Sequence, residues 1–280
     1  MPERRIRLGV LSFLNAYPVY AGLARLAAPG DPFRFAAGPA VASPVALNAG
    51  LAAGELELAP ASSVAVGGRP ELFLPAPGLS ISSRGRVGSV VLFSKVPLRD
   101  LSGGAVALPA NSATSVALLR VLCREHWRIR PLFVPHPGQP RLRDMLASCE
   151  AALLIGDEAL RAPLEAGGLV QVDLGQAWRD FCGLPPVFAL WAFRAGWAAA
   201  RPEAFRWACG RLLAARAAGL ELLPQALPRL AAERGLPEAL VREYFELLDY
   251  GFEEPHRQSL QLLLTLAGEA AAKGATAGGR

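Results

Sequence analysis

The chain has 280 residues, enough for one large domain or two modest ones with a sizeable hydrophobic core. Hydrophobic residues make up 52%, but Gly, Pro or polar residues interrupt every apolar run before the roughly 18 residues that a membrane helix needs. The formal net charge is +5, yet the basic residues are scattered and form no stripe with interleaved aromatics. We therefore expect a soluble protein that binds neither membrane nor nucleic acid, and whose charge suits a small anionic substrate.

The first segment is predicted to be a strand rather than an export signal. Basic residues precede a short apolar run at 8–11, as in a signal peptide, but Asn15, Tyr17 and Pro18 follow where a small-residue cleavage site belongs. The four cysteines form no CxxC pair and are expected to be reduced thiols without a disulfide or metal role. These features predict a cytoplasmic location.

Strands and helices alternate along the first part of the chain. The helix that begins after Ser43 has an N-cap hydroxyl followed by Pro44 at its first position, a combination typical of helix starts. This alternation predicts an α/β fold with a parallel sheet. The predicted strands are 5–14, 33–37 and 55–59, and the predicted helices are 17–28 and 44–54.

Two longer runs of β-forming residues, 87–94 and 187–194, enclose a compact α/β segment. Within that segment we predict strands at 105–108 and 151–155 and a helix at 113–126. We interpret the two longer runs as crossover strands that join two lobes.

This interpretation gives a discontinuous first lobe made of residues 1–90 and 190–280, and a second lobe made of residues 91–189. Everything after Pro202 is predicted to be helical and is assigned to the first lobe. In such an architecture a ligand binds in the cleft between the lobes, where loops at the carboxyl ends of strands converge.

The sequence contains no P-loop, dinucleotide-binding, zinc-protease or serine-hydrolase motif. Its three histidines, His126, His136 and His256, are interpreted as surface or capping residues, because they lie in predicted helices or in a Pro-rich loop. Hydride transfer, nucleotide hydrolysis and zinc hydrolysis therefore lack their usual side chains.

A hydroxyl-rich run follows the predicted strand at 105–108 and begins a helix. The free N–H groups of that first turn, together with the hydroxyls of Ser112, Thr114 and Ser115, are suited to bind a carboxylate or phosphate. Ordinary N-capping by Asn111 or Ser112 accounts for the same residues equally well.

Two further serine pairs stand at predicted strand ends. Ser62 and Ser63 follow the strand at 55–59, and Ser82 and Ser83 belong to a third strand end, residues 79–85, just before the first crossover. Serines in loops commonly form solvated turns, but three hydroxyl clusters at successive strand ends favour a binding site.

Asn15 and Asp157 are the remaining candidates. Asn15 ends the first strand and offers a donor and an acceptor, although Asn before a helix is also a common cap. Asp157 follows the strand at 151–155 and, with Glu158, supplies the carboxylates nearest the predicted cleft. A helix N-cap is the alternative interpretation of Asp157.

Together these segments resemble the chorismate dehydratases of the futalosine route to menaquinone. The resemblance implies the two-lobed fold of type II periplasmic binding proteins. It covers most of residues 6–252 in order, through the segments SFLNAYPVYAGL, ALNAGLAAGELELAPASS, LSISSRGRVGSVVLFSK, ALPANSATSVALLR, ALLIGDEAL, DLGQAW, GLPPVFALWAFR and YFELLDYGF.

The resemblance also implies the reaction, in which chorismate loses water to give 3-[(1-carboxyvinyl)oxy]benzoate without a metal or organic cofactor. Asn15 is expected to hold the leaving hydroxyl, and the run 112–115 one of the two substrate carboxylates. The base is either Asp157 or the substrate's own enolpyruvyl carboxylate. The residues implied to bind substrate are Ser62, Ser63, Ser82, Ser83, Ser112, Ala113, Thr114 and Ser115.

Two alternatives remain from the sequence. A 1,4-dihydroxy-6-naphthoate synthase shares the implied fold. That family looks to carry a catalytic His just after the apolar strand, where this chain has Gly156 and Asp157, so the missing imidazole argues against it. A cytoplasmic protein that binds a small carboxylate without catalysis is the second alternative.

Overall fold

The computed structural model describes residues 5–138, 141–165 and 167–277, and the chain divides into two compact units. Unit 1 consists of the residues up to Ser82 together with Val187–Glu253. Unit 2 consists of Ser83–Pro186 together with the residues from Glu254 onward. Each unit has its own β-sheet with helices, which confirms the predicted α/β class.

Eleven strands are present in the described part of the chain: β1 (Arg5–Leu11), β2 (Arg34–Ala42), β3 (Leu58–Ser62), β4 (Phe73–Ser83), β5 (Val90–Ser94), β6 (Ala105–Pro109), β7 (Leu132–His136), β8 (Ala151–Ile155), β9 (Val170–Asp173), β10 (Val187–Arg194) and β11 (Leu248–Asp249). The α-helices in the same part of the chain are α1 (Tyr17–Leu26), α2 (Pro44–Ala53), α3 (Ser63–Gly67), α4 (Ala113–Val121), α5 (Leu142–Leu146), α6 (Gly156–Arg161), α7 (Leu174–Cys182), α8 (Ala195–Ala200), α9 (Pro202–Arg234), α10 (Glu238–Leu247) and α11 (Glu254–Ala277).

The ends of α2 confirm the sequence prediction. The Ser43 hydroxyl accepts a hydrogen bond from the Ala46 N–H at 3.3 Å, so it caps one of the free donors of the first turn. Gly54 ends the helix with a φ of 77°, a left-handed conformation that favours glycine.

The sheet of unit 1 has the strand order β11-β4-β10-β3-β1-β2. Strand β1 is parallel to β2 and β3, whereas β10 is antiparallel to both of its neighbours, β3 and β4. Trp191 and Phe193 of β10 and Phe73 of β4 are almost completely buried. Burial of each such side chain stabilises the unit by about 1.5–3 kcal/mol.

Helix α1 packs against α9 so closely that two positions admit only glycine. A Cβ atom at Gly219 would lie 1.6 Å from the Pro18 carbonyl oxygen, and one at Gly22 would lie 1.8 Å from the Ala215 carbonyl oxygen. Because α1 begins at Tyr17, two residues after Asn15, this contact helps to hold the chain that connects β1 to α1.

The sheet of unit 2 has the order β7-β6-β8-β5-β9. Strand β6 is parallel to β7 and β8, and β5 is antiparallel to β8 and β9. A core cluster on this sheet includes Phe93, Met145 and Leu154, all at most 1% exposed.

The two predicted crossover strands are instead ordinary members of one sheet each. Strand β5 belongs to unit 2 and β10 to unit 1, and the chain passes between units at Ser82–Ser83 and at Pro186–Val187. The strands for which the sequence predicted a parallel sheet, β1, β2 and β3, are parallel, and β10 and β5 make the two sheets mixed through antiparallel pairs. The direction of β5 and β10 was not evident from the sequence, because both strands are largely buried and such strands form long apolar runs whatever their direction.

The end of the chain also differs from the predicted division into lobes, because α11 belongs to unit 2. The buried Trp178 Nε1–H of α7 donates to the Ser259 hydroxyl at 2.9 Å, and the Arg124 guanidinium donates to the Leu266 carbonyl at 2.6 Å. An amphipathic helix has the same apolar face whether it packs on unit 1 or on unit 2, so its sequence does not determine which unit covers that face.

None of the described helices combines the length and apolar character needed to cross a bilayer.

Candidate functional site

Asn15 lies at the end of β1, in the 3-10 turn Leu14–Ala16 that leads into α1. Its side chain does not cap a helix: Phe13 and Ala16 occupy the N-cap positions of the turn and of α1, and neither cap has a side-chain hydrogen bond. The capping alternative is therefore wrong for Asn15.

The Asn15 Oδ1 atom is buried and has no hydrogen-bond partner among the described residues. Leaving a buried acceptor unsatisfied costs about 1–3 kcal/mol. Native proteins keep few such groups, and those that persist are often at functional sites. The unused acceptor of Asn15 therefore keeps it a candidate for ligand binding in unit 1, where Nε1 of Trp191 and Nε of Arg194 are also buried without a partner among the described residues.

Ser62 and Ser63 lie at the junction of β3 and α3, and both are buried. The Ser62 N–H donates to Oδ1 of Asn48 at 3.1 Å, and the Ser63 hydroxyl donates to the Val187 carbonyl at 2.6 Å. These bonds join α2 and β10 to the end of β3. The Ser63 hydroxyl thus uses its hydrogen within the protein.

Ser82 and Ser83 lie in the last part of β4, which confirms the predicted strand end, and both are fully buried. The Ser82 hydroxyl donates to the Asp249 carbonyl at 2.8 Å, and the Ser83 hydroxyl donates to the Gly85 carbonyl at 2.7 Å. The two neighbours belong to different units, because the unit boundary falls between them. Their substrate contacts remain predictions.

In unit 2, the run at 112–115 begins α4 as predicted. The Ser112 hydroxyl accepts from the Ser115 N–H at 3.3 Å, which confirms the N-cap interpretation for Ser112. Ala113 is exposed at the first position of the helix, and Thr114 and Ser115 are buried behind it. The helix end carries partial positive charge, so this turn is electrostatically suited to an anion.

Asn111 is a candidate that the sequence interpretation considered only as a cap. Its Oδ1 atom is buried without a hydrogen-bond partner in the described part of the chain, and it directly precedes the cap Ser112. Its signal in the sequence was weak, because Asn and Ser are equally good caps and only the structure shows which one performs that role.

Asp157 is the second residue of α6, and the N-cap position is occupied by Ile155. The N-cap alternative for Asp157 is therefore wrong. Gly156 before it has a φ of 64°, and its N–H donates to the Ser89 carbonyl at 2.7 Å, which fixes the turn. Asp157 is partly exposed, a requirement for a carboxylate that exchanges protons with substrate.

The predicted site residues thus fall into two groups, one in each unit. Unit 1 contains Asn15, Ser62, Ser63 and Ser82, and unit 2 contains Ser83, Ser112, Ala113, Thr114, Ser115 and Asp157.

Metal chemistry has no evident ligand set in the described part of the chain, where no group of three or more His, Cys, Asp or Glu side chains could hold an ion. The four cysteines are free. Burial raises the pKa of Cys123 to about 12 and that of Cys209 to about 11, so both remain thiols at neutral pH.

Comparison with known proteins identifies the family. A family model described as menaquinone biosynthesis matches residues 6–269. The chain belongs to this menaquinone biosynthesis family. Within the family, it is 33% identical over 235 residues to a chorismate dehydratase of Thermus thermophilus, with 79% of this chain and 83% of the relative covered.

Solved structures resemble this family member in fold. A structural-genomics protein from Archaeoglobus fulgidus has a TM-score of 0.72 at 19% identity, covering 98% of this chain and 99% of that one. A Candida albicans protein described as having the generic periplasmic binding protein fold has a TM-score of 0.69 at 10% identity, covering 94% and 90%. The predicted periplasmic-binding-protein-like fold is confirmed.

Proposed function

We propose that this member of the menaquinone biosynthesis family is a chorismate dehydratase, which converts chorismate to 3-[(1-carboxyvinyl)oxy]benzoate and water. The 33% identity to the Thermus thermophilus enzyme supports the substrate. The observation that carries the proposal within the molecule is the buried, unpartnered amide oxygen of Asn15 at the end of β1. We further propose that the enzyme acts in the cytoplasm.

The proposed reaction is an elimination, so the enzyme is a hydro-lyase. A base removes a ring proton, the carbon–oxygen bond of the ring hydroxyl breaks, and the proton and hydroxide leave as water. The ring becomes aromatic, and this driving force means that no redox or electrophilic cofactor is needed. Positioning of the substrate can then supply much of the acceleration.

Asn15 is proposed to hold the departing hydroxyl group. Its Oδ1, which lacks a partner among the described residues, is proposed to accept a hydrogen bond from the substrate hydroxyl, and its Nδ2 is proposed to donate to that oxygen as negative charge develops there. Stabilising charge that develops only in the transition state raises kcat more than it strengthens binding.

The first turn of α4 is proposed to bind one substrate carboxylate. The N–H groups of Ala113 and Thr114 lie at the positive end of the helix dipole, and Nδ2 of the neighbouring Asn111 is proposed to donate to the same carboxylate. Chorismate carries two carboxylates, and hydrogen bonds to charged oxygens are the strong ones. The serines of unit 1, Ser62, Ser63 and Ser82, and Ser83 of unit 2 are proposed as further polar contacts.

Two carboxylates are proposed as alternatives for the base that removes the ring proton. Asp157 is a partly exposed carboxylate in the first turn of α6. The enolpyruvyl carboxylate of the substrate is the other, and it would need no protein base. The proposal therefore assigns the proton transfer to one of these two carboxylates.

The test is to incubate purified protein with chorismate and follow its ultraviolet spectrum and the product mass. A product about 18 mass units lighter, the mass of one water, is expected from wild type. The same protein with Asn15→Ala should bind chorismate but form little product. Tight binding without turnover by wild type would contradict the enzyme and favour a non-catalytic binding protein.

A further inference from the structure

Residues 249–251, in and after the short edge strand β11, connect two parts of unit 1 that are distant in sequence. The carbonyl groups of all three residues accept hydrogen bonds from β4. Ser82 Oγ donates to the Asp249 carbonyl at 2.8 Å, the Ser80 N–H donates to the Tyr250 carbonyl at 3.0 Å, and the Ser80 hydroxyl donates to the Gly251 carbonyl. Segment 249–251 is thus held along its whole length.

The phenol of Tyr250 extends from this segment to the end of β1. Its hydroxyl donates to the backbone carbonyl of Asn15 at 2.9 Å, and its side chain is buried. Burial raises the pKa of Tyr250 well above its ordinary value, so the hydroxyl keeps its proton and remains a donor throughout the physiological range.

The chain before Asn15 is held by side chains as well. The Tyr20 hydroxyl donates to the Gly9 carbonyl at 2.9 Å and accepts from the Leu11 N–H at 3.0 Å. Arg234 of α9 donates to the Ser12 carbonyl at 2.5 Å. Asn15 itself has no protein partner for Oδ1 in the described residues, so the direction of its amide depends on how its backbone is held.

We propose that Tyr250 is a positioning residue for Asn15: its phenol fixes the backbone carbonyl of Asn15 and thereby aims the Asn15 amide at the substrate hydroxyl. The catalytic consequence rests on the proposed function, whereas the effect on the Asn15 amide does not. A group that acts in a transition state must be held within a fraction of an ångström, and a displacement of about 1 Å can cost on the order of a hundredfold in rate.

The sequence makes a direct structural test simple, because it contains only three asparagines, Asn15, Asn48 and Asn111. Selective ¹⁵N labelling of asparagine should therefore give three side-chain amide resonance pairs, and Asn15→Ala assigns the pair of Asn15. In Tyr250→Phe the Asn15 pair should move, while the pairs of Asn48 and Asn111 stay in place and report that the fold is intact.

Tyr20→Phe is the matched control, because it also removes a phenol hydroxyl that holds the backbone near the end of β1, at Gly9 and Leu11 rather than at Asn15. It should leave the Asn15 amide pair close to its wild-type position. An Asn15 pair that does not move in Tyr250→Phe, or that moves equally in both variants, would overturn the proposal.

The kinetic measurement separates positioning from a general structural role. Tyr250→Phe should lower kcat for chorismate about tenfold with little change in KM, and it should cause no further loss in an Asn15→Ala background. Equal losses of kcat in both backgrounds would contradict a role exercised through Asn15. If wild type does not dehydrate chorismate, the proposed function fails, but the resonance measurement still decides whether Tyr250 positions Asn15.

Discussion

The polar groups at the end of β1 and those along β4 belong to the same unit but differ in how their hydrogen-bonding capacity is used. Ser80 and Ser82 of β4 donate to the carbonyls of residues 249–251, so their hydroxyl hydrogens hold the fold together. Asn15 at the end of β1 keeps a buried amide oxygen without a partner in the described residues. A group of the first kind contributes stability, and one of the second kind is proposed to bind a ligand.

Unit 2 contains the same contrast within two adjacent residues. Ser112 caps α4 through the Ser115 N–H, whereas Asn111 beside it has a buried oxygen without a partner among the described residues. Polar composition at a strand end therefore indicates a region, and unused hydrogen-bonding capacity gives the candidates within it that the variants below test.

The largest effect on activity is expected for Asn15→Ala. Removal of one group that stabilises developing charge costs on the order of 10²–10³-fold in kcat. Because the variant also removes an unsatisfied buried oxygen, its free energy of unfolding should not fall as a deletion of a bonded side chain would. Chorismate turnover and thermal unfolding measure the two effects, and activity within tenfold of wild type would contradict the role given to Asn15.

Asp157→Asn tests the assignment of the base. If the Asp157 carboxylate takes the ring proton, kcat should fall by about a hundredfold while KM changes little, because the amide keeps the shape and loses the basicity. Steady-state kinetics with chorismate provides the measurement. Turnover near that of wild type would instead assign the base to the enolpyruvyl carboxylate of the substrate.

The pair Asn111→Ala and Ser112→Ala tests the contrast in unit 2. Asn111→Ala should raise KM for chorismate about tenfold, the effect of losing a hydrogen bond to a charged group, with little change in stability. Ser112→Ala should lower the free energy of unfolding by about 1 kcal/mol through loss of the cap. Urea unfolding and KM should be measured on both variants. If Asn111→Ala were the more destabilised of the two, the contrast between a binding role for Asn111 and a capping role for Ser112 would be wrong.

The smallest expected effect is that of Ser82→Ala on stability. This variant loses the hydroxyl that donates to the Asp249 carbonyl, and one such hydrogen bond contributes about 0.5–1.5 kcal/mol. Thermal unfolding of Ser82→Ala and Asn15→Ala under the same conditions compares the stability that each variant loses. The distinction between the two regions would be wrong if Asn15→Ala were destabilised more than Ser82→Ala.

Local features of the sequence predicted a substantial part of this protein. The cap at Ser43, the glycine at the end of α2 and the apolar strand β8 depend on residues a few positions apart, and the structure has them where the sequence placed them. Of β4 only the strand end at residues 79–85 was predicted, where Leu79 and Ile81 alternate with serines as in a strand.

Sequence alone thus determined the α/β class, the family resemblance and the regions in which polar residues end strands. Only the tertiary structure decided the direction of β5 and β10, the packing of α11 on unit 2 and the partners of each buried polar group. The physical reason is that burial and hydrogen bonding depend on residues far apart in the chain, as Tyr250 and Asn15 illustrate across 235 positions. An asparagine and a serine have similar polarity in a sequence, and what distinguishes Asn15 from Ser82 is whether the folded chain supplies a partner.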